Sequence, residues 1–294
     1  MLGIVVGLAA AVPSASGSGE PVGPRDRIVD LGRFFAGGAP VDAAFVLLNG
    51  RTGEVIRHDP ARAAKRLLPA STFKIPHTLI ALETGVVSDA EFVIPFDPSR
   101  KRAGFWSPDW SRDQTLRSAF QGSVYWYFQE TARRIGPRRM AESLKRFGYG
   151  NESLAGGVDA FWLEGGLRIS ADEQVRFLQR LNEGRLGVSA RSLEVLRSIM
   201  VLERGPGYTL RGKTGTADVT PTRELAWLVG FVEGADETWY FALNLEGEEV
   251  WERWGPGAAR RQLVSTLLRE LGALPAPAGP LPAAAAKGGA SAWS

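Results

Sequence analysis

The 294-residue chain contains no cysteine. Disulfides and thiolate metal sites are therefore closed to it. Histidine is almost as scarce, with two residues, His58 and His77. That excludes a histidine-rich metallohydrolase centre, so no metal is expected, and a Ser-His-Asp triad would have to use one of these two. Neither sign of charge dominates: 35 Lys and Arg against 32 Asp and Glu leave +3. The charges are scattered rather than gathered into a basic stripe, so no nucleic-acid partner is expected. No apolar run approaches the roughly 18 residues of a membrane-spanning helix, so no membrane span is expected either. What the chain does have is length and apolar content: 44% of its residues are hydrophobic, enough for one large domain with a substantial core.

The first 16 residues combine a short apolar stretch (2–12), Pro13 and a run of small residues around 14–16. This is the pattern of a signal peptide, which predicts an exported, periplasmic or secreted protein. It lacks the usual basic start, which leaves open an upstream start codon, and a disordered apolar tail is the alternative. Residues 17–25 are rich in Gly, Ser and Pro and read as a linker. The catalytic domain is expected over 26–272, and the Ala/Pro/Gly-rich residues 273–294 as a disordered tail.

Within the domain the periodicity changes twice. Ile28, Leu31 and Phe35 sit at helical spacing, predicting a short amphipathic helix over 27–35. Residues 43–48 and 54–57 read as strands around the turn Asn49-Gly50-Arg51-Thr52-Gly53. A long helical block follows: 73–83, 117–135, 137–147, 171–182 and 190–200. Strands return at 208–213, 225–233 and 238–245, and a helix over 258–271 closes the domain. Antiparallel strands can pair across an insertion of any length. The fold class is therefore α/β of the α+β type: an antiparallel sheet flanked by N- and C-terminal helices, with an all-helical subdomain of about 65–205 inserted into it. A cleft between the two parts is the natural place for a site.

Ser71-Thr72-Phe73-Lys74 opens the helical block. Residues three apart share a helix face, so the Lys74 amine can reach Ser71 Oγ and activate it as a nucleophile. Pro76 should disturb the first turn and make the helix start tight or irregular. Lys213-Thr214-Gly215-Thr216 ends a strand and offers a cation, hydroxyls and a glycine that permits close approach of a substrate. The two motifs together are the signature of penicillin-recognising serine enzymes. Ser-Asp-Asn is absent between them. Instead the chain carries Gly122-Ser123-Val124-Tyr125, Tyr149-Gly150-Asn151, Phe161-Trp162-Leu163-Glu164-Gly165 and Ala226-Trp227-Leu228-Val229-Gly230.

From about residue 45 to 271 this set closely resembles the class D β-lactamases, and it implies the β-lactamase/transpeptidase-like fold. The resemblance implies catalytic roles for Ser71, Lys74, Ser123 and Trp162. Ser71 is the nucleophile, and Lys74 is modified by CO₂ to N6-carboxylysine and acts as general base. Trp162 holds the carbamate, and Ser123 relays a proton to the leaving nitrogen. Tyr125, Lys213, Thr214, Gly215, Thr216 and Arg260 line the substrate site, with Arg253 as the fallback for Arg260. Backbone N–H groups of Ser71 and Thr216 form the oxyanion hole. Tyr125 departs from the family, which has Val there in a dry lid over the lysine. No cofactor is implied beyond CO₂ or bicarbonate, the partner is a small β-lactam, and the protein is a monomer or homodimer. His77 reads as a packed helix residue, His58 as exposed, and Glu164 as structural. Two other readings stay open: a β-lactam sensor that acylates without turnover, and a cell-wall DD-peptidase.

Overall fold

The computed structural model describes residues 26–100, 107–255 and 257–275. The signal peptide and linker expected over 1–25, the tail from 276, and Phe105 and Trp106 lie outside them. The elements in chain order are β1 (Asp26–Ile28), β2 (Val41–Asn49), β3 (Val55–His58), α1 (Pro60–Ala64), a 3₁₀ turn Ala70–Phe73, α2 (Lys74–Glu83) and β4 (Val93–Ile94). Then come β5 (Gln114–Thr115), α3 (Leu116–Gln121), α4 (Tyr125–Ile135), α5 (Pro137–Phe147), α6 (Ala171–Asn182) and α7 (Ala190–Ile199). Finally, β6 (Val201–Gly205), β7 (Tyr208–Thr220), β8 (Arg223–Glu233) and β9 (Thr238–Gly247) lead into α8 (Val250–Trp254) and α9 (Ala258–Glu270).

Seven strands form one sheet in the order β1-β3-β2-β9-β8-β7-β6. All pairs are antiparallel except β1 with β3. The sheet is covered on both faces, which explains why its central strands read as continuous apolar runs instead of alternating ones. In β2, Ala44, Val46 and Leu48 join the core shared with the helical block. Ala43, Phe45 and Leu47, one residue out of phase, join the core under α8 and α9. β8 divides in the same way, with Trp227, Val229 and Phe231 on the helical-block face and Ala226 and Leu228 on the α9 face.

Four local readings change. Residues 27–35 are not a helix: β1 pairs with β3, and only Gly32–Phe34 makes a 3₁₀ turn. Ile28 is 61% exposed, so its helical spacing from Leu31 was fortuitous. The helix expected over 117–135 is two helices broken at Gly122-Ser123. β6 begins at Val201, directly after α7, at the far edge of the sheet. The tail expected to be disordered from residue 273 is packed at first, with Ala273 and Leu274 buried in the α9 core.

Candidate active site

The site forms where three pieces of chain meet: the 3₁₀ turn Ala70–Phe73, the break between α3 and α4, and β7. Pro76 lies in the first turn of α2, and the chain enters that helix through the tighter 3₁₀ winding, which Pro tolerates because no donor is missed there. Ala70 has φ +48°, a left-handed conformation costly for a residue with a Cβ. The turn is tied down on its inner side. Thr72 Oγ1 donates to the Pro69 carbonyl at 2.7 Å and accepts from Gln174 Nε2 of α6 at 3.0 Å, and Trp227 Nε1 of β8 donates to the Leu68 carbonyl at 2.9 Å.

Gly215 is what lets β7 approach this turn. A Cβ there would lie 2.8 Å from the Pro69 carbonyl oxygen and 3.2 Å from the Thr72 nitrogen. β6 pairs with β7 only as far as Arg211, and Gly212 N–H, on the β6 side, donates to the Met200 carbonyl at 2.9 Å. The register with β8 is unbroken from Thr209 to Asp218. By the alternation of an antiparallel strand, the N–H groups of Thr214 and Thr216 therefore point to the edge that β6 leaves open.

Lys74 is fully buried and its Nζ donates to Ser71 Oγ at 2.7 Å. The predicted i, i+3 juxtaposition is thus present across the 3₁₀-to-α junction. Nζ also lies 5.2 Å from the centroid of the Phe128 ring. Burial first, and the charge of Lys213 second, lower the Lys74 pKa far below that of an ordinary lysine. The amine is therefore poised to be neutral and reactive.

Trp162 is fully buried, and its ring packs on Phe73 (5.4 Å) and His77 (5.3 Å), the residues one before and three after Lys74. Its Nε1–H has no hydrogen-bond partner among the described residues. Burying such a donor unpaired costs about 1–3 kcal/mol. The Tyr-Gly-Asn motif secures the loop that carries Trp162. Asn151 Nδ2 donates to the Gly166 carbonyl at 2.9 Å, and Asn151 Oδ1 accepts from Arg168 N–H at 2.8 Å. Gly150 has φ +58°, and a Cβ there would collide with the Arg168 carbonyl oxygen at 2.0 Å.

Ser123 sits in the break before α4 with φ +57°, and its Oγ accepts from Lys213 Nζ at 3.1 Å. Trp110 braces this break: its Nε1 donates to the Gly122 carbonyl at 3.0 Å, and its carbonyl accepts from Trp126 Nε1 at 2.9 Å. Tyr125, half-buried at the start of α4, stacks edge-on against Trp110 at 5.0 Å. Lys213 Nζ also reaches Thr214 through its carbonyl (3.0 Å) and Oγ1 (3.2 Å). Burial, then the charge of Arg260, bring the Lys213 pKa down to about 7.

Arg260 lies on the other face of the sheet, 1% exposed. It donates to the carbonyls of Trp254 (3.2 Å), Gly215 (2.9 Å) and Trp227 (2.9 Å) and to Thr216 Oγ1 (3.2 Å). Burial lowers its pKa to about 10. Arg253 serves elsewhere: it binds the carbonyls of Phe35, Ala36 and Ala39 and stacks on Trp254. Between the two candidates, Arg260 is the one next to the Lys213–Thr216 strand.

Glu164 is exposed. His77 is fully buried with Nε2 on Thr131 Oγ1 at 3.0 Å, so it is not bonded to Ser71. His58 is half-buried rather than exposed: its Nδ1 accepts from Leu31 N–H at 3.2 Å, and its ring packs on Phe35. Sequence reasoning placed Trp110 in a loop at the substrate site but missed its brace on the Gly122-Ser123 break, and it missed Phe128 and Gln174 altogether. Phe128 could have been found, since it lies three residues after Tyr125 on one helix face. Gln174 is brought in by long-range packing alone.

The site thus presents a serine hydroxyl on a strained turn, a neutralised lysine beside it, and a strand edge flanked by two further cations. A family model for the penicillin binding protein transpeptidase domain matches residues 43–269. Beta-lactamase OXA-10 of Pseudomonas aeruginosa is 42% identical over 208 residues, covering 70% of this chain and 77% of its own. The crystal structure of the class D β-lactamase YbXI from Nostoc superposes with a TM-score of 0.73 at 36% identity, covering 80% of this chain and 95% of that one. The C-terminal domain of the Bacillus licheniformis BlaR penicillin-receptor superposes with a TM-score of 0.75 at 29% identity, covering 85% and 98%.

Proposed function

The chain belongs to the class D serine β-lactamases, and from that premise we propose that it hydrolyses the amide of penicillin-type β-lactams through an acyl-enzyme on Ser71. One observation carries this: a fully buried Lys74 whose Nζ lies 2.7 Å from Ser71 Oγ. Ser71 Oγ bonds to the β-lactam carbonyl carbon, the carbon–nitrogen bond breaks, and Ser123 delivers the proton to the ring nitrogen. Water then cleaves the ester and frees Ser71. The oxyanion sits between the N–H groups of Ser71 and Thr216, each worth roughly 3 kcal/mol of transition-state stabilisation. Lys213 and Thr214 bind the substrate carboxylate, and Arg260 holds the β7 backbone beneath it and adds positive potential.

We further propose that Lys74 is carbamylated. The residues present fit that group. The amine is held neutral enough to react with CO₂, and Trp162 supplies a buried N–H that has no partner among the described residues. Once formed, the carbamate supplies an oxygen base that takes the Ser71 proton in acylation and activates water in deacylation. The signal-like composition of the first 16 residues supports export as part of this reading. No helix of the described residues is long and apolar enough to cross a membrane.

The likeness to the BlaR domain favours a second reading, acylation without turnover. Multiple turnovers of a penicillin per enzyme support hydrolysis. One stoichiometric burst followed by a stable acyl-enzyme selects the sensor.

A further inference from the structure

His77 has no part in the chemistry described so far, yet it is fully buried one helical turn beyond Lys74. Thr131 Oγ1 lies 3.0 Å from the Phe128 carbonyl, to which it donates. With its proton spent there, the hydroxyl accepts from His77 Nε2–H at 3.0 Å. With this tautomer alone, both contacts of the hydroxyl are hydrogen bonds, and Nδ1 has no partner among the described residues. Burial, then the charge of Lys74, lower the imidazole pKa to about 3. His77 is therefore neutral at working pH.

The ring contacts are directed. The imidazole meets Trp162 edge-on (5.3 Å, 81°) and Phe128 edge-on (5.1 Å, 74°). Phe128 is the ring beneath Lys74 Nζ, and Trp162 carries the unpaired N–H. One side chain thus touches both aromatic groups that bound the Lys74 environment, and it is itself anchored to α4 through Thr131.

We propose that His77 is a positioning residue for the Lys74 pocket: anchored on Thr131, its ring wedges Trp162 and Phe128 into the arrangement that stabilises a carbamate on Lys74. The proposal rests on the carbamylation reading. It assigns the effect to the shape of the imidazole ring, not to proton transfer.

The test measures CO₂ affinity directly, by ¹³C NMR of the carbamate after titration of CO₂-depleted protein with ¹³C-bicarbonate. The proteins compared are wild type, His77→Ala, His77→Phe and Thr131→Val. Near-UV circular dichroism and cooperative urea unfolding, neither of which depends on the carbamate, check that each is folded. Loss of two edge-on aromatic contacts should weaken CO₂ binding in His77→Ala by about tenfold. Thr131→Val, which removes only the anchor, should weaken it by roughly threefold. His77→Phe, which keeps a ring, should stay close to wild type. A folded His77→Ala with wild-type CO₂ affinity overturns the proposal, as does a His77→Phe as weak as His77→Ala. If His77→Ala does not fold, wild-type affinity in Thr131→Val overturns it. Absence of a carbamate signal in wild type itself is a separate result: it defeats the carbamylation reading, and this proposal falls with it.

Discussion

Lys74 and Arg260 are both buried basic side chains at one site, and the protein surrounds them in opposite ways. Arg260 makes four hydrogen bonds, three to carbonyls and one to Thr216 Oγ1. Lys74 donates to Ser71 and faces the Phe128 ring. The same contrast extends to their neighbours. Lys213 bonds Ser123 and Thr214, whereas His77, Thr78 and Trp162 around Lys74 each keep a buried polar atom without a partner among the described residues. The sheet side of the site is a finished cradle in which Lys213 and Arg260 both have hydrogen-bond acceptors. The helical side is unfinished: the buried Trp162 N–H has no acceptor among the described residues. A carboxylate-like group on Lys74 would supply one, and that asymmetry is the physical basis of the proposed chemistry.

The largest effect expected on this comparison is removal of the shared atom. Ser71→Ala should lower turnover roughly a thousandfold or more, and mass spectrometry should find no covalent penicilloyl adduct. An adduct on the variant would remove Ser71 as the nucleophile.

Trp162→Phe keeps the bulk and deletes the unpaired N–H. A hydrogen bond to a charged group is worth about 1.5–3 kcal/mol, so turnover should fall roughly 10- to 150-fold. Added bicarbonate should recover part of it. Unchanged turnover would mean that the orphan donor serves no group on Lys74.

Gly215→Ala tests the contact between the two halves. Its Cβ meets backbone atoms of Pro69 and Thr72, which cannot rotate away. We expect a loss of about 1–3 kcal/mol of stability in urea unfolding, together with slower acylation of Ser71.

The smallest effect is a pH limb. The ordinary lysine pKa is 10.5 and that of Lys213 is about 7, so its charge is present below pH 7 and lost above it in the free enzyme. kcat/KM for a carboxylate-bearing β-lactam should decline as pH rises through that range, and Lys213→Arg should remove the decline. Stability moves the other way. Between pH 7 and 10.5 the unfolded chain holds a proton that the folded one has released, so this group makes the fold more stable as pH rises through that window.

How much of this was legible in the sequence differs along the same division. The sheet strands were recognisable because burial on both faces leaves unbroken apolar runs, and Lys213-Thr214-Gly215 marks itself by composition. Ser71 and Lys74 were legible because their pairing is local. Pro76 correctly signalled the tight 3₁₀ entry to α2. The break at Gly122-Ser123 was not legible, since a single glycine in a helical pattern does not announce that the following serine adopts positive φ. That conformation is held by Trp110 from outside the segment. β1 was lost because three apolar residues at helical spacing outweighed a three-residue strand whose partner lies 29 positions on. The unpaired atoms of Trp162 and His77 have no sequence signal at all: a hydrogen bond that is missing is visible only in three dimensions.

The central claim is that Lys74 acts as a CO₂-modified base in a turnover enzyme. Its most direct test is steady-state hydrolysis of a chromogenic cephalosporin by protein depleted of CO₂ at low pH, assayed before and after bicarbonate is restored. The account predicts little activity before, and many turnovers per enzyme after. Equal activity in both states would contradict the carbamate, and a single stoichiometric burst in both would contradict turnover itself.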